Sequence, residues 1–207
     1  STEKIVDAYK IEPGANLRSA LLGDSDLRGS DLRGANLINA NLINADLRGA
    51  NLTGVNLTNA NLTNADLRGA NLRDANLTNS NMSDSNLYGV TLRDANLFGA
   101  NLERTFLRGA NLTGANFYTV NLSEASLSEA NLTAVNLYGA NLTNADLTGS
   151  KLFLANLALA NLTGANLTDA NLEGAVLTGS ILTGAVLKGS ILTDAVLTDA
   201  NLADARR

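Results

Sequence analysis

The chain has 207 residues, with no Cys, no His, a single Pro and 15 basic against 20 acidic side chains, for a net charge of -5. Without Cys there is no disulfide, thiol nucleophile or thiolate metal site, and without His the commonest general base and metal ligand is missing. No run of 18 apolar residues occurs, so no membrane span is expected.

Residues 1–14 read as a segment distinct from the rest of the chain. Thr2 is placed to cap a short helix over residues 3–10, in which Ile5, Val6 and Tyr9 would make one apolar stripe. The expected role of this helix is to cap the exposed first edge of a repeat array. Leu21, apolar in a column dominated by Asn and Asp, is expected to lie under it.

From Ala15 onward the chain is a five-residue tile. Ala45-Asp-Leu-Arg-Gly49 returns unchanged at Ala65–Gly69, and counting by fives from Leu17 to Leu202 gives 38 positions, 36 of them Leu, with Met82 and Phe117 as the exceptions. Two residues before each Leu stands a small residue, usually Ala, which reads as buried. The positions one before and one after read as solvent-facing. Two after the Leu, Gly fills 16 tiles, Asp 8 and Asn 6, the residues that tolerate positive φ or stabilise turns. A period of five spirals the Leu column round an α-helix and flips it from face to face on a flat strand. Only a coil that turns one corner per tile buries it.

These Ala-(Asp/Asn)-Leu-X-X copies resemble the pentapeptide-repeat family, over Ala15 to Asp204. The resemblance implies an all-β fold, a right-handed quadrilateral parallel β-helix with four tiles per coil and nine to ten coils in residues 15–207. At a strand spacing of ~4.8 Å the rod would be about 45 Å long. No linker interrupts the repeats, so they form one domain behind the N-terminal segment.

Stacking every twentieth residue turns columns into surface features. One face carries Arg28, Arg48, Arg68 and Arg108 beside Asp26, Asp46 and Asp66. This is either an electrostatic docking strip or a solvated face in which each Arg relieves the repulsion of stacked carboxylates. Another stacks Phe98, Tyr118 and Tyr138, with Phe153, Leu154 and Leu159 close to its end. Mutual ring packing explains the column by itself, whereas a contiguous exposed apolar patch marks a partner-binding surface. Near the end, Val176, Ile181, Val186, Ile191 and Val196 make an apolar belt, which fits a homodimer through the C-terminal coils.

A filled coil has no concave pocket, so no catalytic, cofactor or metal site is expected. The expected function is a non-enzymatic rigid scaffold for an unidentified protein partner, without direct nucleic-acid or membrane binding. Some members of the family resemble duplex DNA and bind type II topoisomerases, which makes a mimic that binds DNA gyrase or topoisomerase the alternative. Duplex DNA of ~45 Å carries about 26 negative charges, against -5 here. Residues 1–110 hold 11 basic and 12 acidic side chains, and the remainder 4 and 8. Thr143, Thr163 and Thr183 suggest an ice-binding column, ranked last. Eleven sequons of the Asn51-Leu-Thr53 kind argue against a glycosylating route, so a bacterial, cyanobacterial-like protein of the cytoplasm is expected. Ser1 in place of Met leaves room for a removed leader, and with it the periplasm or thylakoid lumen.

Overall fold

The computed structural model describes residues 4–207, so Thr2 lies outside the described residues. The helix expected over 3–10 is not formed. In its place β1 (Lys4–Val6) and β2 (Tyr9–Ile11) pair antiparallel, Val6 opposite Tyr9. The two residues between them, Asp7 and Ala8, have φ of 49° and 68°, the mirror-image turn whose twist suits a two-residue hairpin. β-branched and aromatic residues favour this pleated alternative. Its period of two corrects the expected stripe: Val6, Tyr9 and Ile11 pack on the core, while Ile5 points outward at 65% exposure.

The hairpin is tied to the first tiles by polar contacts. Ser25 Oγ donates to Asp7 at 2.6 Å, Lys4 Nζ to Ser30 Oγ at 3.2 Å, and the Leu21 amide to Tyr9 Oη at 3.2 Å. The Leu21 side chain is not covered, however, and is 70% exposed. Tyr9 holds its backbone amide.

From Asn16 onward, parallel bridges join each tile to the one 20 residues later, from Asn16–Asn36 to Val186–Arg206. Four tiles therefore complete a turn, and four parallel ladders run along the rod. Within a tile three main-chain bonds reach the next coil, as in Leu17 N to Asn36 O (2.7 Å), Ser19 N to Ile38 O (2.8 Å) and Asn36 N to Ala15 O (2.9 Å). Each corner closes on itself, as where Ala20 N donates to Leu17 O at 3.0 Å. The third corner residue must take positive φ, and all 38 positions from Ser19 to Asp204 do. From Leu22 to Leu182 no member of the Leu column exceeds 1% exposure, Met82 and Phe117 included.

The Asn column is less solvated than expected. Its side chains are half-buried, and Oδ1 accepts the amide two residues on, as Asn41 does from Ile43 at 3.0 Å. This local capping explains why Asn and Asp fill the column.

Candidate partner-binding surface

Phe98, Tyr118 and Tyr138 occupy one corner position in three successive coils, and main-chain bonds from Gly99 to Tyr118 and from Thr119 to Tyr138 fix the step between them. Beneath them runs an amide ladder. Asn116 Nδ2 donates to Asn96 Oδ1 (3.1 Å), Asn136 to Asn116 (3.3 Å) and Asn156 to Asn136 (3.3 Å). The same Oδ1 atoms accept the amides of Phe98, Tyr118 and Tyr138, and Asn156 Oδ1 that of Ala158. Held this way, the rings stack with centroids 5.5 Å and then 5.1 Å apart, at 10° and 2° between planes. Parallel stacked rings are favourable beyond their burial.

Leu154 and Leu159 stand where corners call for Gly, Asn or Asp, with φ of 57° and 56°. Left-handed backbone is unfavourable for such side chains, and Thr119, β-branched at φ 57° beside the stack, is a further case. Both leucines lie over glycines of the next coil: a Cβ on Gly174 or Gly179 would come within 2.7 Å of the Leu154 or Leu159 Cδ2. Even so they remain 55% and 53% exposed, with Phe153 and Phe98 also on the surface.

The arginine column lies on the opposite face. Arg68 and Phe98 differ by thirty residues, one and a half coils of the twenty-residue repeat. Its arginines are engaged within the face. Arg28, Arg48 and Arg68 each grip the carboxylate of their own tile with Nε and a terminal nitrogen, the latter at 2.8, 2.6 and 2.6 Å from Asp26, Asp46 and Asp66. Arg28 and Arg48 also approach the next carboxylate at 3.7 Å. The hydrogen bonds from Arg28 hold Asp26 well below the usual carboxylate range, and Arg48 lowers Asp46 in the same way. Arg108, with Phe106 where its partners have Asp, reaches Glu129 in the next coil at 3.1 Å. On this face sequence reasoning missed Tyr88 and Phe106, both exposed. Their place inside the Asp and Arg columns was the available signal.

Along the belt, Val176, Ile181, Ile191 and Val196 are exposed and Val186 half-buried. Below them Leu192, Leu197 and Leu202 are only partly buried. Among the described residues no helix is long and apolar enough to cross a membrane, and no three His, Cys, Asp or Glu side chains converge as a metal site would require.

The family pattern described as pentapeptide repeats matches residues 15–54, 56–94, 92–127, 119–152, 155–194 and 180–206, in eight copies. The chain belongs to the pentapeptide-repeat family. Known structures of this family are right-handed β-helices. The chain is similar to HetL, a pentapeptide-repeat protein involved in heterocyst differentiation regulation in the cyanobacterium Nostoc sp. strain PCC 7120. The two are 36% identical over 90% of this chain and 82% of HetL, with a TM-score of 0.53. QnrB1, a plasmid-mediated fluoroquinolone resistance protein, shares the fold at 17% identity, covering 85% of this chain and 90% of its own, with a TM-score of 0.60. A pentapeptide-repeat protein of the Arabidopsis thaliana thylakoid lumen is 36% identical over 47% of this chain and 68% of its own, at a TM-score of 0.46. A comparison with curated proteins finds no match.

Proposed function

We propose that this chain is a non-enzymatic rod of nine to ten coils that presents fixed side-chain columns to a protein partner. The stack of Phe98, Tyr118 and Tyr138 carries the reading, because its rings are registered by the backbone and continue into exposed leucines held in unfavourable conformations. Backbone strain retained beside an exposed apolar surface favours a binding role over mere packing. The Asp/Arg ladder favours a solvated face, since its guanidinium donors are already committed to carboxylates of the same column.

That pairing also weighs against a mimic of DNA that binds gyrase or topoisomerase. Carboxylates neutralised by their own arginines do not make a phosphate-like column, and the net charge of -5 falls far short of a duplex. The ice-binding reading is weaker still, because Thr143 and Thr163 turn their hydroxyls to Asn141 and Asn161 of their own tiles at 2.6 Å. Affinity capture from the native host, with a gyrase supercoiling assay in parallel, separates these. The expected result is capture of a protein that Tyr118→Ala no longer retains, without loss of supercoiling. Inhibition of supercoiling at sub-micromolar protein would replace the scaffold with the mimic.

The belt of Val176, Ile181, Val186, Ile191 and Val196, exposed at four of its five members, favours self-association through the C-terminal coils. Sedimentation equilibrium at tens of micromolar should give twice the 21.5 kDa chain mass, reverting to the chain mass on Ile191→Lys. A cytoplasmic location is the accompanying proposal, checked by fractionation of the host.

A further inference from the structure

We draw no further inference here: the strongest candidate, the exposed apolar wall of Phe153, Leu154, Leu159 and Val176 beside the aromatic stack, is flanked by Lys151 and by Glu173 one coil on, so that its charges select no partner, and nothing in the structure shows what covers it.

Discussion

The two halves of the rod share a core and differ in what they place outside it. Up to Arg108 the variable columns are dense in charge, with Asp26, Asp31, Asp46 and Asp66 each gripped by the arginine two residues on. Beyond it charge is sparse and mostly acidic, and exposed Phe153, Leu154, Leu159, Val176 and Ile181 replace the ion pairs. Leu and Ala columns run unchanged through both. Coil geometry is thus indifferent to outward chemistry, and the outward columns are free to specialise.

The largest expected effect breaks what the halves have in common. Leu107 is fully buried at their junction. Leu107→Arg puts a charge into a core without partner or room and should cost more than about 5 kcal/mol, enough to prevent folding. Thr113→Arg, one tile further and facing outward, should leave the melting temperature nearly unchanged. Equal melting of the two variants would reject the assignment of inward and outward columns.

A smaller effect distinguishes the halves at their corners. Gly49 has φ 66° with open space about it, whereas Gly179 has φ 65° and the Leu159 side chain above it. Gly49→Ala should cost about 1–2 kcal/mol, the strain of left-handed backbone alone. Gly179→Ala should cost more, and adding Leu159→Ala should recover the excess. A denaturant double-mutant cycle reads the coupling, and a coupling of zero would show that Leu159 yields freely.

Next come the hydroxyls of the small-residue column. Ser150 and Ser180 are buried with no hydrogen-bond partner among the described residues, unlike Thr105 and Ser190, which donate to the carbonyl three residues back at 2.8 Å. Ser150→Ala and Ser180→Ala should each stabilise the rod by about 1 kcal/mol, while Thr105→Ala should destabilise it. Urea unfolding midpoints moving the same way in all three would contradict this.

The smallest effect belongs to the ion pairs. Asp46 has its pKa lowered by hydrogen bonds from Arg48. A carboxylate lowered in the folded state stabilises above its unfolded value of about 3.9 and loses that contribution as pH falls through the folded value. The melting temperature of wild type should therefore exceed that of Asp46→Asn slightly at pH 7, with the gap closing below about pH 4. A gap that widens on acidification would reverse the sign of the coupling.

Much of this was legible because period five leaves a single way to bury Leu, and because Gly, Asp and Asn mark the corners. Thr119, Leu154 and Leu159 adopt the same corner φ although nothing in their chemistry calls for it, so register overrides local preference. The hairpin at residues 4–11 was hidden since Asp7-Ala8 lacks the Asn-Gly or Asp-Gly signature of its turn, leaving Ile5, Val6 and Tyr9 open to a helical reading. Stacking at Phe98, Tyr118 and Tyr138 came from spacing alone. What spacing does not carry is hydrogen-bond commitment: that Arg28, Arg33, Arg48 and Arg68 spend their forks on their own tiles while Arg104 and Arg108 reach neighbouring coils, and that Asn56 spends its oxygen on its own corner, depends on side-chain reach.

The twenty-residue register has a consequence for how such a chain can change length. Insertion of one tile would leave every Leu in the core and every corner in place, yet turn all of the downstream surface by a quarter of a revolution. Two tiles inserted between Arg68 and Phe98 would carry the aromatic column round to the arginine face, and four would restore the original arrangement one coil further along. Length variation in this architecture is therefore a dial: it reorients whole surfaces against each other in fixed steps without touching the stability of either.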